Sequence, residues 1–355
     1  MTNSKPISRT CRARWAIVLT GLLSMVPAAR ADIIKKDDML HGITIGRAEC
    51  QAIRDTVWIN VDGRDFCVRY YLSTAGGEGR VPVVFMQGDY LGKLDMKNMS
   101  WIDPSETTDI DTEHLMRTAD AFSKMTKTTA IYLARIGVEG TSGDHRARKT
   151  VLELHLMNAA LDAIKQRHNF LGFHLVGQSG GSKLVGGLIA LRRDVACAVS
   201  GSGPLAPPSA SKTDAGNATR DPGRIYFDPS QHIAEIAQSR ALRILVVTDP
   251  TDKKVPLAQQ AGFVDKMRQA GRSVPEFMVE AIDKDHHGVV VYAQLVIAGC
   301  VLGKTDAEIA SAVSTIVKRN AEYNARRQKE ASIQSNIAAA ARQVSQDAPA
   351  APDHR

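Results

Sequence analysis

Between Val81 and Gly303 the chain alternates two kinds of segment, and that alternation most narrows its fold. Strand-length runs such as "VPVVFM", "TTAIYLA", "FHLV", "VACAVSG" and "ALRILVV" are apolar on both of their alternate faces. Helix-length stretches lie between them. In "TVLELHLMNAALDAIKQRH", Leu152, Leu156, Ala159, Ala160 and Ile164 fall on one side. A strand apolar on both faces must be covered on both, so the expected architecture is α/β: a mostly parallel central sheet with helices on each side. Upstream, "TVWINVDGRDFCVRYYL" reads as two strands joined at Asp62-Gly63, an antiparallel hairpin at the amino-terminal edge of the sheet. The apolar run "GVVVYAQLVIAGCVLG" is 16 residues long. That is short for a bilayer, and it is expected as a buried helix.

The ends read differently. Residues 1–31 combine a basic, acid-free start, the apolar stretch "AIVLTGLLSMVPAA" and small residues at Ala29 and Ala31. This is the pattern of a signal peptide cut before Asp32, with no stable membrane insertion afterwards and an exported product, periplasmic or secreted. The formal charge of the whole chain is +7. Five of the 45 basic residues (Lys5, Arg9, Arg12, Arg14 and Arg30) lie in that segment, leaving 40 against 38 acidic ones, net +2. A balance so near neutral gives no support for a nucleic-acid partner. Residues 32–54 form a lead segment, 55–303 the main domain, 304–342 a polar helix, and 343–355 an Ala-, Gln- and Pro-rich tail expected to be disordered. Nothing in the chain fixes an oligomeric state.

Cys50, Cys67, Cys197 and Cys300 remain after the signal segment, and export permits disulfides. Cys50 with Cys67 is the expected bridge, because both flank one hairpin. Cys197 and Cys300 sit in apolar segments, where they can pair or serve as small core residues. No spacing of Cys and His suggests a metal site, and no cofactor motif is present.

In a parallel sheet, functional groups gather beyond the carboxyl ends of the strands. The loop "GQSGG" follows one apolar run and opens a helix. It places Ser179 on a tight turn, with small residues two before and two after to relieve crowding. A serine hydroxyl attacks only when a base takes its proton. The loop "IDKDHHGVVVYA" offers His286 and His287, of which His287, directly before Gly288 and the closing helix, is the expected base. The loop "VVTDPTDKKVP" holds Asp249 and Asp252. Asp252 is the expected partner that fixes the imidazole tautomer, and Asp249, next to Pro250, reads as a turn residue. Acyl transfer also needs donors for an oxyanion. These are expected from the N–H of Gly180 and, in the turn of "FMQGDYLG", the N–H of Asp89. His286 and Asp249 stand as alternates.

Ser179, Asp252 and His287 follow one another beyond three different strands, and in this order the chain resembles the α/β-hydrolase superfamily. "GQSGG" matches its nucleophile elbow, "DPTDKKVP" its acid loop, "DHHG" its histidine loop, and "RIGVEGTSGDH" a loop that often reads Arg-x-Gly-x-x-Gly-x-Ser. The resemblance covers roughly residues 55 to 303. It implies the α/β-hydrolase fold and a serine hydrolase that cleaves an ester or amide through an acyl-serine intermediate without a cofactor. The substrate it implies is a small-molecule or peptide acyl compound. An esterase is the first expectation. A peptidase or acyltransferase of the same fold, or a non-catalytic binding protein built on it, are the alternatives. Family members often carry His-Gly in the oxyanion loop. Here Gln87-Gly88 is followed by acidic Asp89, which must be paired or turned away if an oxyanion is to develop beside it. The connection from Pro204 to about Ala241 is short and polar, so an open site is expected.

Overall fold

Asp62 and Gly63 both adopt positive φ, 52° and 73°. A two-residue turn needs this to match the twist of its strands. The turn joins β1 (Thr56–Val61) to β2 (Arg64–Ser73) with Val61 opposite Arg64 and Thr56 opposite Arg69. The Cys50–Cys67 disulfide, with Cα atoms 5.6 Å apart, pins the short helix Arg47–Ala52 to the second of these strands. The computed structural model describes Met1 and residues 33–91, 93–95, 100–102, 108–207 and 225–346. Residues 2–32, which hold the expected signal segment, the middle of the Pro204–Ala241 connection at 208–224, and the tail from 347 lie outside the described residues.

Six further strands complete this sheet: β3 (Val83–Met86), β4 (Ala130–Leu133), β5 (Phe173–Gln178), β6 (Val195–Gly201), β7 (Arg243–Thr248) and β8 (Glu276–Met278). The sheet order is β8-β7-β6-β5-β3-β4-β2-β1. Strands β3 to β8 are mutually parallel, whereas β2 runs antiparallel to β4 and β1 antiparallel to β2. This is the α/β sheet with an antiparallel hairpin edge that the sequence pattern predicts.

Beyond the two short helices of the lead segment, Lys36–His41 and Arg47–Ala52, the described α-helices are α1 (Thr112–Thr126), α2 (Val151–His168), α3 (Gly180–Leu191), α4 (Ile233–Gln238), α5 (Leu257–Gln269), α6 (Val290–Val301) and α7 (Asp306–Gln346). Successive strand side chains point to opposite faces, and each face has its own core. Val84, Leu175 and Val246 pack with Leu156, Leu188 and Phe263 of α2, α3 and α5. Phe85, Val176 and Val247 pack with Phe122 and Val296 of α1 and α6. The apolar run that ends at Gly303 is thus the buried helix α6, and Cys197 of β6 is bonded to Cys300 within it. Among the described residues no helix is long and apolar enough to cross a membrane. Helix α7 begins at Asp306 and stays helical to Gln346, four residues past the Arg342 boundary read from composition. Ala- and Gln-rich sequence favours helix, so the change in composition there does not end it.

The chain leaves β3 toward β4 on one side and returns to β5 on the other. The carboxyl ends of β3 and β5, Met86 and Gln178, therefore sit together where the winding direction reverses. In open α/β sheets that crevice is where ligands bind.

Candidate active site

Ser179 bridges β5 and α3 with φ 53° and ψ −117°, a backbone conformation that L-residues seldom adopt. The neighbours must be glycine for steric reasons. A Cβ on Gly177 would lie 2.4 Å from the carbonyl carbon of Gly181, and one on Gly181 would lie 2.1 Å from the oxygen of Met86. The Ser179 N–H donates to Gly201 O at 2.8 Å, which holds the turn to β6. Gly88 approaches from the β3 loop so closely that a Cβ there would stand 2.9 Å from that of Ser179. The expected oxyanion loop thus lies directly against the serine. Gly180 opens α3, and the first N–H groups of a helix have no partner within it.

His287 Nδ1 lies 2.8 Å and 3.0 Å from the two carboxylate oxygens of Asp252. A carboxylate only accepts, so Nδ1 carries a proton, and in the neutral ring Nε2 then holds the lone pair. Asp252 also accepts from the N–H groups of Lys254 and Val255, at 2.8 and 2.9 Å. Burial pushes its carboxyl toward the neutral form. The hydrogen bonds from His287, Val255 and Lys254 outweigh burial and hold it below the usual carboxylate range.

His286 takes a different partner. Its Nδ1 lies 3.2 Å from Asp249, whose carboxylate also accepts from the N–H and hydroxyl of Thr251 and the N–H of Ala281. Asp249 therefore does cap its turn, and the doubled histidine resolves into two separate His-Asp pairs. The left-handed φ of 54° at His286 sends consecutive imidazoles in different directions.

The histidine loop is tied to the end of β5 by a residue whose role motif reasoning passed over. Gln178, directly before the serine, donates from Nε2 to the backbone oxygen of His287 at 2.7 Å. The loop is shaped from behind by Asp283, which accepts from the N–H groups of His287 and Gly288 at 3.0 and 2.7 Å. Lys253 N–H donates to Asp285 O at 2.9 Å, joining the acid loop to the histidine loop. Asp283 is within the quoted "IDKDHHG", but only its fold-back onto residues four and five ahead reveals the role.

Asp89 is paired rather than bare. Its carboxylate lies 2.8 Å from Arg135, 3.3 Å from Arg148 and 2.5 Å from Lys149. Burial favours its neutral form, but the three cations, Lys149 first, drive it far below the usual range, so it stays ionised. Arg135 is shared, forked onto Glu153 of α2 at 2.8 and 2.9 Å. The carboxylate touches α3: a Cβ on Gly180 would lie 2.7 Å from both Asp89 oxygens. An oxyanion near Gly180 is therefore bordered by a neutralised group. Arg135 follows β4 and opens the "RIGVEGTSGDH" loop, and the acid in the expected oxyanion loop was the signal that a paired cation was needed there. Among the described residues no cluster of His, Cys, Asp and Glu could hold a metal ion.

No family model matches the chain, and no curated protein matches its sequence. Solved structures do. An esterase of Pyrococcus furiosus, known in two crystal forms, is 11% identical, with a TM-score of 0.50 over 74% of this chain and 95–96% of the other. A Butyrivibrio proteoclasticus protein, Est1E with ferulic acid bound, is 13% identical over 70% of this chain and 98% of the other, at a TM-score of 0.49. At such identities the likeness to the Pyrococcus structure speaks for the fold, and the fold is that of the α/β hydrolases.

Proposed function

We propose that this chain is an exported serine hydrolase that cleaves an ester bond, with Ser179 as nucleophile, His287 as general base and Asp252 as its orienting acid. The observation that carries this reading is the Asp252–His287 pair tied through Gln178 to the strained elbow of Ser179. Asp252 keeps the imidazole in the tautomer whose Nε2 can accept a proton, and stabilises the cation that forms. Ser179 Oγ then adds to the carbonyl carbon as its proton passes to His287. The oxyanion takes hydrogen bonds from the N–H groups of Gly180 and Asp89. Collapse expels the alcohol, which takes the proton back from His287 and leaves an acyl-serine. Water, deprotonated by the same histidine, attacks that acyl group, and the carboxylic acid departs with Ser179 restored.

Export rests on the amino-terminal pattern and on the two disulfides, which persist in oxidising compartments. The test compares purified protein on 4-nitrophenyl acetate and on a peptide 4-nitroanilide. Ester turnover that falls at least about a thousandfold in Ser179→Ala is expected. Turnover of the anilide with similar kcat/KM would replace the esterase with a peptidase. Turnover of neither by folded protein would remove the catalytic reading.

A further inference from the structure

One cation beside the serine has no work in the chemistry above. Lys183 lies one turn into α3, its N–H donating to Ser179 O at 3.2 Å. It is only 8% exposed. Among the described residues no carboxylate lies within ion-pair distance of its ammonium group. Among the described residues its close partner is the ring of Tyr226, whose centroid is 5.9 Å from Nζ. A buried ammonium without a counter-ion costs several kcal/mol, and folds rarely keep one unless something else offsets it.

The surroundings deepen the imbalance. Gly180 and Lys183 are three residues apart and share a face of α3, the face against which Asp89 lies. Lys149 sits on Asp89, and the strand-like segment from Ile225 to Phe227 is hydrogen-bonded alongside Lys149–Val151. Arg135, Arg148, Lys149 and Lys183 thus gather around Asp89, Glu153 and Glu139. Glu139 is drawn toward its neutral form, its carboxyl pushed up to about 7 by burial. Asp228 acts on Lys183 through space but takes its hydrogen bonds from the N–H of Ser230 and the amide of Gln231. Burial and the like charge of Lys149 lower Lys183 to about 8, so it remains largely charged at neutral pH. Among the described residues the cluster holds more cations than ionised acids, and Lys149 keeps 18% of its side chain open to solvent.

We propose that Lys183, backed by Lys149, is a specificity-determining residue that holds a carboxylate of the substrate beside Ser179, so that the preferred ester is an anionic one. The inference rests on the serine-hydrolase reading and names the substrate class of that site. The missing counter-ion of Lys183 is supplied by the substrate, and a neutral ester of the same length forgoes that pairing. Charge-assisted hydrogen bonds to a lysine in a desolvated wall are stronger than neutral ones, so the discrimination is expected in KM more than in kcat.

The test uses matched pairs. One places the charge on the acyl side, 4-nitrophenyl hemisuccinate against 4-nitrophenyl butyrate. The other places it on the leaving group, 4-acetoxybenzoate against its methyl ester. The wild type is expected to prefer the anion in at least one pair by about tenfold or more in kcat/KM, a preference that shrinks with salt. In Lys183→Met that ratio is expected to collapse toward one. No anionic preference in either pair, or a preference that survives Lys183→Met, overturns the proposal. A second arm does not depend on turnover. Monomethyl succinate is expected to raise the Tm of Ser179→Ala by about 2 °C or more and to leave Ser179→Ala/Lys183→Met unmoved. If no ester is turned over but this shift appears, the anion site stands and the hydrolase reading fails. Absence of the shift, or an equal shift in both variants, overturns the anion site.

Discussion

Replacing Asp252 by Asn changes one atom and, on this account, inverts the histidine beside it. The carboxylate makes two sets of bonds: Oδ1 accepts from the N–H groups of Lys254 and Val255, and both oxygens face His287 Nδ1. An asparagine must keep its single oxygen toward the two backbone donors, because leaving two buried N–H groups unpaired costs about 1–3 kcal/mol each. Its NH2 then faces Nδ1 and donates to it. The imidazole proton moves to Nε2, and the ring can no longer take a proton from Ser179. A triad with the wrong tautomer loses about 10⁴ in kcat, or about 5.4 kcal/mol of transition-state stabilisation. Asp249→Asn is the matched control. It disturbs the pair with His286 and the bonds to Thr251 and Ala281. It is expected to cost stability while leaving kcat within about tenfold, since no proton of the reaction passes that way. The assay is 4-nitrophenyl acetate hydrolysis for both variants, with circular dichroism to verify folding. A folded Asp252→Asn that keeps more than about 1% of kcat, or an Asp249→Asn that falls equally far, would refute the tautomer argument.

Three other outcomes follow from the structure. The Cys197–Cys300 bridge closes 103 residues and the Cys50–Cys67 bridge 17. By chain entropy they restrict the unfolded state by about 4.7 and 3.1 kcal/mol respectively. Urea unfolding of the paired Cys→Ala variants should find the first more damaging, and the reverse order would count against the entropic account. Glu139 is buried, accepts from the hydroxyl of Tyr132 and has its carboxyl raised to about 7. The folded state therefore binds the extra proton between about pH 4.5 and 7, and the Glu139 contribution to stability falls as pH rises through that window. Glu139→Gln should make the pH dependence of Tm flatter there, and an unchanged slope would contradict it. Asp252 and Asp283 are lowered instead, by hydrogen bonds that outweigh burial. Their contribution is full above about pH 4 and is lost as the pH falls through their folded values, so acidification below about pH 4 should lower the urea midpoint, and less so in Asp283→Asn.

The parts of the fold that were legible in the sequence are those with a local cause. Asp62-Gly63 announces a turn because few other pairs tolerate two left-handed residues. Apolar runs such as "ALRILVV" announce buried strands because no polar face is left for solvent. The elbow at Ser179 was legible for the same reason, since Gly177 and Gly181 are required by contacts within five residues of each other and with Met86. The order of strands was not legible, because it is set by which faces must be covered and by handedness over the whole sheet. Nor could sequence say that Cys197 meets Cys300, 103 residues away.

The candidate site divides in the same way. Ser179, Asp252 and His287 could be proposed from loops following strands, each with its own pattern. The supporting groups could not. Gln178 reaches His287 across 109 positions, and Arg135 reaches Asp89 across 46. Arg135 opens the "RIGVEGTSGDH" loop and Gln178 lies inside "GQSGG", but neither pattern names the partner, and these contacts exist only once the sheet has brought β3, β4 and β5 side by side. The difference between His286 and His287 is a backbone one: a single left-handed residue decides which imidazole finds Asp252.

The central claim is that Ser179 is an activated nucleophile, and covalent labelling reads that before any substrate is identified. Protein treated with a fluorophosphonate at neutral pH and digested for mass spectrometry is expected to carry one phosphonyl group, on the peptide containing Ser179. Labelling should be lost in Ser179→Ala and strongly slowed in His287→Ala. A folded wild type that stays unlabelled, or one labelled at another serine, contradicts the account.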